Sequence, residues 1–456
     1  MAEKKIWIMS FVHLHVHTHY SILDGYATAS ELFERASRLN MPGLAITDHA
    51  TMGGVPAFMR EAKKYPGVKP IIGCEFNVSR YGEHTEKDLE HRRYAHVVLL
   101  AKNLKGYENL VNLCSIANVE GFYYKPRISH SLLARYNEGL ICLSGCIAGE
   151  VAQIILEGDI KAAAKTALWY KHLFGDDYYF EINRHAVDNN YVASKLDNQS
   201  ALEKVQSEVR SRQNEINKVL LKLSGELGIK TVATNDVHFA KREDAIPHDV
   251  LTSFQTNWAI GDPNRVRYTH HEWLKSEQDM RALFNDCPAA IENTMEVLNK
   301  IERFGITSPN MESLLQETSI KSDGISGWTP YQEARAYANQ KYGEGRLARI
   351  IKYRSLGKKE ACNRAAKAFN LSLYDIVSGK YPLGSELIQE VKNMGELLEG
   401  RVFSITTSEK YAICPSCPIM ERTPCLSYSA HGNNGPVLCT EYDIHSEELT
   451  EMIIIQ

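Results

Sequence analysis

Four histidines alternate near the start of the chain, as His13, His15, His17 and His19 in FVHLHVHTHY. On an extended strand, residues i and i+2 point to the same face. These imidazoles would therefore converge on one side, as the ligands of a metal ion must. The alternative is an exposed strand on which histidines cluster by chance. Four histidines within seven residues make that alternative a poor explanation. The segment thus predicts a strand that carries part of a metal site.

Composition narrows the class of protein. The chain has 456 residues, of which 44% are hydrophobic and 24% charged, so we expect a globular protein of several domains rather than a disordered or fibrous one. The net charge of −4 requires any contact with nucleic acid to come from local patches. The first apolar run ends at His13, too early for a signal peptide, and no run could span a membrane. We expect a cytoplasmic protein whose scattered cysteines are reduced or metal-bound.

Short apolar runs alternate with amphipathic stretches from residue 10 to about 240. This alternation predicts an α/β fold with a mostly parallel sheet, open or closed into a barrel. Residues 194–227 are polar with helical periodicity and predict an exposed helical insertion.

Most of the predicted strands carry or lead into a polar side chain that could bind metal. The loops at the carboxyl ends of barrel strands share one mouth, where catalytic groups gather. The side chains in this position are Asp24, Asp48, His49, Glu75, His96, Cys146, Glu181, His185, Asp236 and His238.

Several motifs resemble a known family: HLHVHTHYSILDG, LAITDHATMGG, PIIGCEF, YAHVVLLAKN, GFYYKPRIS, LSGCIAGE and ATNDVHF. They resemble the PHP (polymerase and histidinol phosphatase) domain, in the form found at the N-terminus of the bacterial DNA polymerase III alpha subunit family. The resemblance covers about residues 10 to 280. It implies a distorted seven-stranded β/α barrel (PHP) with a trinuclear metal centre.

The resemblance also implies the ligands, residue by residue. They would be His15, His17, Asp24, His49, Glu75, His96, Cys146, Asp236 and His238. Imidazole, carboxylate and thiolate together suit Zn²⁺, Mn²⁺ or Fe²⁺ better than Mg²⁺ or Ca²⁺. We expect His13 and Asp48 to orient the ligating imidazoles, and His19 to be an exposed loop residue.

The same motifs offer groups for a phosphate substrate. Asp236 and His238 would act at the metal centre, and Lys125, Arg127 and Arg184 would hold the phosphate. Tyr123 and Tyr124 would either stack on a base or pack at the rim of the barrel.

Beyond the barrel, residues 335–400 resemble a late segment of the polymerase palm. The glycine-rich phosphate loop and the Asp-x-Asp motif of that palm are missing after residue 300, so we do not expect this chain to polymerise DNA. We expect three domains: 1–280 with the metal centre, a mainly helical 281–400, and a cysteine-containing end, 401–456.

Residues 341–367 contain nine Lys or Arg and two Glu. This local excess of positive charge predicts a DNA-binding patch or, alternatively, a solvated amphipathic helix. The residues predicted to bind DNA are Arg346, Arg349, Lys352, Arg354, Lys358 and Lys359.

Four cysteines near the end, Cys414, Cys417, Cys425 and Cys439, match the ligand count of a structural zinc or an iron–sulfur cluster. Their spacing fits no standard zinc finger, and reduced core thiols are the alternative.

The residues favour a metal-dependent phosphoesterase. The resemblance to the polymerase form of the PHP domain implies a role in replication or repair, as a 3′–5′ exonuclease or DNA phosphodiesterase on a primer 3′ end or a single strand. Partners would be replication proteins or a separate polymerase chain, in a bacterium or phage. Two alternatives stay open: a phosphatase of small phosphomonoesters, and a non-catalytic accessory fragment of a split polymerase.

Overall fold

The fold is described from a computed structural model. It describes residues 10–185, 197–256, 258–304, 347–372, 386–413, 439–443 and 453–455. The helices are α1 (Ala29–Arg38), α2 (Val55–Ala62), α3 (Leu104–Val119), α4 (His130–Arg135), α5 (Glu150–Leu156), α6 (Ile160–Phe174), α7 (Gln199–Leu227), α8 (Ala245–Thr256), α9 (Glu277–Leu283), α10 (Pro288–Lys300), α11 (Lys358–Ala368) and α12 (Glu386–Leu398). The strands are β1 (Gly43–Ile46), β2 (Lys69–Ser79), β3 (Tyr94–Ala101), β4 (Arg127–Ile128), β5 (Leu140–Leu143), β6 (Tyr178–Asn183), β7 (Lys230–Thr234), β8 (Leu347–Ser355), β9 (Val402–Ile413), β10 (Cys439–Asp443) and β11 (Ile453–Ile455).

A seven-stranded sheet forms the N-terminal part in the order β1-β2-β3-β5-β6-β7, with β4 paired to β2. The pairs β1–β2, β2–β4, β5–β6 and β6–β7 are parallel, whereas β3 is antiparallel to both β2 and β5. The predicted α/β barrel is confirmed, but the sheet is mixed because β3 reverses direction.

The segment with the alternating histidines, residues 11–20 (the histidine segment), closes this sheet into a barrel. On one side, the carbonyl oxygen of His13 accepts a hydrogen bond from Ala45 N, and that of Val16 accepts one from Thr47 N. On the other side, Val16 forms an isolated parallel bridge with Val237, just beyond β7. The prediction of a regular strand here is wrong, because the segment forms only two backbone hydrogen bonds with each neighbour and a single isolated bridge.

The barrel interior is filled by one or two apolar side chains from each strand of the sheet except β4, with two from the histidine segment and others from α10. This cluster contains Val12, Leu14, Ala45, Ile71, Val98, Leu100, Ile141, Leu143, Tyr179, Val232, Val297, Leu298 and Ile301. The last three belong to α10 and the residue that follows it. Beyond the expected boundary at residue 280, α10 thus still contributes to the barrel core.

Helix α7 connects β6 to β7 and packs on the barrel. Its buried face includes Leu202, Ile216, Leu220 and Leu223. Within the segment expected to be an exposed helical insertion, 194–227, the structure has α7 from Gln199 to Leu227, with one face buried against the barrel.

The C-terminal region contains α11, α12 and a four-stranded sheet in the order β10-β8-β9-β11. Strands β8 and β9 pair antiparallel along most of their length, so the predicted boundary at residue 400 would divide a sheet. Arg401 joins this region to α1 through two bonds to the Glu31 carboxylate, of 2.6 and 2.7 Å. No helix in the described ranges has both the length and the apolar character needed to cross a bilayer.

Candidate metal centre

Glu75, on β2, lies at the centre of a cluster of imidazoles. Its Oε1 is 3.5 Å from His15 Nε2 and 2.9 Å from His96 Nδ1. Its Oε2 is 3.4 Å from His17 Nε2 and 2.8 Å from His49 Nδ1. The carboxylate is buried, and neither oxygen accepts a hydrogen bond of good geometry from the described residues. A buried carboxylate without such bonds is costly unless a cation compensates it.

The tautomers of His15 and His17 follow from their neighbours. His15 Nδ1 lies 2.7 Å from Glu181 Oε1, so it carries the hydrogen. His17 Nδ1 lies 3.0 Å from Ser21 Oγ, which donates its own hydrogen to Asp48 Oδ1. His17 Nδ1 is therefore also the donor, and in the neutral rings both Nε2 atoms carry lone pairs.

These two lone pairs face each other and a carboxylate. The Nε2 atoms of His15 and His17 are 3.0 Å apart, and Asp236 Oδ1 is 3.3 Å from the first and 3.4 Å from the second. When both rings are neutral, three electron-pair donors meet with no hydrogen between them. Such a donor set fits a divalent cation.

A further group lies on the other side of His17. Asp24 Oδ2 is 2.9 Å from His49 Nε2 and 3.2 Å from His238 Nε2. The Tyr268 hydroxyl donates to the second Asp24 oxygen. His238 Nδ1 is held 2.8 Å from the backbone carbonyl of Asp236, which leaves Nε2 directed at Asp24.

Three groups of potential metal ligands thus overlap, sharing His17 and His49. They are His17, Asp24, His49 and His238; His15, His17 and Asp236; and His49, Glu75 and His96. Together they contain eight of the nine predicted ligands. Cys146 belongs to none of these groups. Burial and, after it, the negative charges of Asp236, Glu75 and Glu181 raise the pKa of its thiol.

Electrostatics match this arrangement. Burial, with the nearby His49 and His238, lowers the pKa of His17 to about 3, so this ring is neutral, the form that coordinates a metal. Burial opposes charge on His15, but the Asp236 and Glu181 carboxylates outweigh it and raise the pKa of that ring. A site whose carboxylates attract a proton this strongly also attracts a metal cation.

Asp236 has a left-handed backbone, with φ of 49°. This conformation is uncommon outside glycine, and Asp and Asn tolerate it best. It places the carboxylate beside His15 and His17 immediately after β7.

The cluster is buried on one side and open on the other. His15, His17, Glu75 and His238 are at most 2% exposed, whereas the side chain of His49 is 30% exposed. Asp24, His49 and His96 line a cavity of about 580 Å³, whose wall also contains Tyr124, Lys125 and, from β9, Phe403. A substrate can therefore reach the outer donors.

The residues around the predicted ligands differ partly from expectation. Asp48 acts on His17 through Ser21, as predicted. His13 instead pairs its Nε2 with the carbonyl of Lys275 at 2.9 Å and orients no ligand. His19 is half-buried, and its Nδ1 accepts from Val402 N, so the prediction of an exposed loop residue is wrong.

Two arginines predicted to bind phosphate have other partners. Arg127 is fully buried, and its guanidinium donates to the carbonyls of Gly121, His84, Glu86 and His91, so it supports the loop before β3.

Arg184 donates to both Asp286 oxygens and to Leu283 O and therefore belongs to the packing around α9. Lys125, by contrast, lines the cavity.

Tyr123 and Tyr124 differ in their surroundings. Tyr123 is half-buried with the Arg127 guanidinium 5.3 Å from its ring centre, which is packing at the rim. Tyr124 is 68% exposed and lines the cavity.

Sequence reasoning did not assign Ser21, Tyr268 or the contact between Glu181 and His15. Glu181 was recognised only as a polar residue near a strand end, and nothing in the sequence marks Tyr268.

The predicted C-terminal sites are only partly described. Arg346, Cys414, Cys417 and Cys425 lie outside the described residues, and Arg349, Lys352 and Cys439 are described by backbone alone, in β8 and β10. Arg354, Lys358 and Lys359 are exposed. The described part of the basic segment, residues 347–367, forms strand β8 and helix α11 rather than a single amphipathic helix.

Residues 13–185 match the family model described as PHP domain, so this part of the chain is a PHP domain. Curated relatives named DNA polymerase III subunit alpha align with the N-terminal two thirds. The protein from Borreliella burgdorferi is 40% identical over 302 residues, which is 66% of this chain and 24% of the relative. The Treponema pallidum protein is 40% identical over 299 residues, 64% of this chain and 23% of the relative. The chain spans about a quarter of the length of these relatives.

Solved structures give weaker matches. An amidohydrolase from Chromobacterium violaceum has a TM-score of 0.23 at 16% identity, covering 50% of this chain and 88% of that one. Endonuclease Q in complex with a 27-mer duplex has a TM-score of 0.28 at 13% identity, covering 50% of this chain and 49% of that one. With TM-scores this low, neither superposition supports a conclusion about this chain.

Proposed function

We propose that this chain is a metal-dependent phosphoesterase that hydrolyses phosphodiester bonds in DNA, preferentially from a 3′ end. The observation that carries the proposal is the convergence of eight side chains in three overlapping groups around Glu75, open to a cavity of about 580 Å³. The relatives named DNA polymerase III subunit alpha favour DNA as the substrate.

The eight converging residues would hold the metal ions, with Cys146 as a ninth ligand. Their imidazole-rich composition suits Zn²⁺, Mn²⁺ or Fe²⁺. Bound ions would stabilise negative charge on the phosphate and lower the pKa of a water molecule.

The protein's own residues would position the substrate. The exposed Lys125 ammonium lines the cavity and would neutralise a phosphate entering it. Tyr268 fixes Asp24 through its hydroxyl, and Glu181 and Ser21 fix the rings of His15 and His17, so that the donors are preorganised before substrate arrives.

A groove between α8 and α11 supports a polymeric substrate. It has a volume of about 610 Å³ and is lined by Phe254, Trp258, Lys359, Arg364 and Lys367, among others. Trp258 is 41% exposed, and both lysines are exposed. Positive charge beside an exposed aromatic ring suits the phosphates and bases of a single strand.

The test compares the wild type with Asp236→Asn, each reloaded with Mn²⁺ or Zn²⁺. Asn tolerates the left-handed backbone at this position, so the fold is expected to survive while a ligand is lost. Substrates are a 5′-labelled primer–template, the matching single strand and a nitrophenyl phosphodiester. We expect the wild type to shorten the labelled strand stepwise from its 3′ end and the variant to lose at least 100-fold in rate.

Other outcomes are equally informative. Hydrolysis of phosphomonoesters alone would favour a small-molecule phosphatase. No turnover by a metal-loaded protein would favour the non-catalytic accessory fragment. Equal cleavage by the variant would place the activity elsewhere.

A further inference from the structure

A second cavity, of about 500 Å³, adjoins the metal cavity and carries a different chemistry. It is lined by Arg80, Arg92, Arg93, Tyr94, Tyr124, Gln153 and Glu157. Tyr94 and Tyr124 also line the metal cavity, so the two spaces share a wall made by these rings. A ligand longer than one nucleotide could therefore occupy both.

The arginines give this second cavity an excess of positive charge. Arg80 binds both oxygens of Glu157, at 2.6 and 2.7 Å, and this pair is close to neutral. Arg92 and Arg93 are exposed. The charge of Arg93 contributes, after Arg80, to lowering the pKa of Glu157, and three arginines thus share the cavity wall with this one carboxylate. In a chain of net charge −4, two such arginines beside a site for phosphate chemistry form a local anion site.

The shared tyrosines are placed for contact with bases. Tyr124 is 68% exposed and has a φ of 60°, a left-handed conformation that is uncommon for an aromatic residue. A bridge between Tyr123 and Lys125 closes this tight turn. Tyr94 lies parallel to His96, with ring centres 6.0 Å apart and an interplanar angle of 9°. The turn thus holds one ring exposed where the two cavities meet, and a base can stack on such a ring whatever its sequence.

We propose that this arginine-lined cavity binds the phosphodiester backbone of a single-stranded polynucleotide, with a base on Tyr124 and an adjacent phosphate in the metal cavity. As a statement about substrate class, it rests on the function proposed above. A small phosphomonoester would occupy only the metal cavity and would not contact Arg92 or Arg93, which line the second cavity.

The first test measures binding without catalysis. A fluorescein-labelled thymidine tetranucleotide is titrated with metal-free protein in EDTA, and its anisotropy is followed from 50 to 200 mM salt. We expect Arg92→Gln/Arg93→Gln to bind at least tenfold more weakly, and the slope of log affinity against log salt to fall by ~1.4, which is ~0.7 for each lost phosphate contact. Tyr124→Ala should bind at least fivefold more weakly, and Tyr124→Phe should restore the affinity.

The matched control is Arg210→Gln/Arg212→Gln, which removes the same two charges from the exposed face of α7, outside both cavities. Equal losses in the two double variants would overturn the proposal, because the effect would then be general electrostatics. Displacement of the tetranucleotide by equimolar thymidine monophosphate or inorganic phosphate would also overturn it, since the cavity would then bind a single phosphate.

The second test separates this proposal from the function on which it rests. With metal-loaded protein, Arg92→Gln/Arg93→Gln should raise KM for the oligonucleotide at least tenfold with little change in kcat. An unchanged KM would overturn the proposal. If the wild type hydrolyses no substrate, the proposed function fails, while the anisotropy measurement still decides whether the cavity binds a strand.

Discussion

Glu181 offers the sharpest test of the metal centre because it touches only one predicted ligand. Its Oε1 accepts from His15 Nδ1 at 2.7 Å and from the Thr234 hydroxyl at 2.6 Å, and the residue is 2% exposed. Substitution by Gln keeps the size of the side chain and removes its charge. The amide group can also donate a hydrogen to Nδ1, and this would move the hydrogen of His15 to Nε2, where the metal should bind.

We expect Glu181→Gln to lower the affinity for the first bound Zn²⁺ or Mn²⁺ by ~10–100-fold, the usual effect of losing a carboxylate behind a ligating imidazole. This corresponds to about 1.4–2.7 kcal/mol. Competition with a chromophoric chelator at pH 7 measures the change directly, without any need for turnover.

The control is Glu296→Gln on α10, which removes the same charge from a carboxylate that binds Tyr179 and Lys230 instead. This variant should bind metal as the wild type does. If Glu181→Gln folds normally and its metal affinity stays within twofold of the wild type, then Glu181 does not set the tautomer of His15, and our account of the site is wrong.

Three further predictions concern stability, each measured by urea unfolding. Arg401 outweighs the effect of burial and lowers the pKa of Glu31 to about 2, so the stability from this pair is present above pH ~4.5 and is lost as the pH falls towards 2. Glu31→Gln should therefore cost ~1–2 kcal/mol at pH 7 and about half as much at pH 3, and an equal cost at both would refute the pairing. Arg127→Met should cost ~3 kcal/mol, because several buried carbonyls lose their donor, and an unchanged midpoint would return Arg127 to the substrate-binding candidates. Leu220→Ala on α7 should lower the free energy of unfolding by ~2–4 kcal/mol, and Lys222→Ala, at an exposed position, by less than ~0.5 kcal/mol. Equally small effects of both would favour the prediction that this helix is an exposed insertion.

The sequence was sufficient to predict the barrel and most of the converging residues. Glu75, His96 and Asp236 lie in or beside short apolar runs, and the ends of barrel strands meet, so their convergence follows from the fold. The contact between Glu181 and His15 joins residues far apart in sequence and depends on the exact register of the sheet.

Burial of polar groups is the main reason for the errors. The buried face of α7 includes Gln206, Gln213 and Asn217, each hydrogen-bonded to the barrel or its loops, and a polar helix of this kind reads as exposed. The sequence likewise suggests that Arg127 binds substrate, because its burial and its carbonyl partners are not visible in the sequence. No local pattern reports that a charged or amide side chain will find buried partners elsewhere in the chain.

The segment that closes the barrel also supplies His15 and His17, and this links folding to metal loading. Val16 pairs with Val237, more than 200 positions away, so neither the ring of strands nor the donor cluster is complete until both ends of the domain are present. Contacts of such long sequence separation are slow to form because a long loop must first be closed. A ribosome-bound chain would therefore acquire its metal only after residue 238 has emerged, and amide exchange at residues 15–17 should report on metal occupancy.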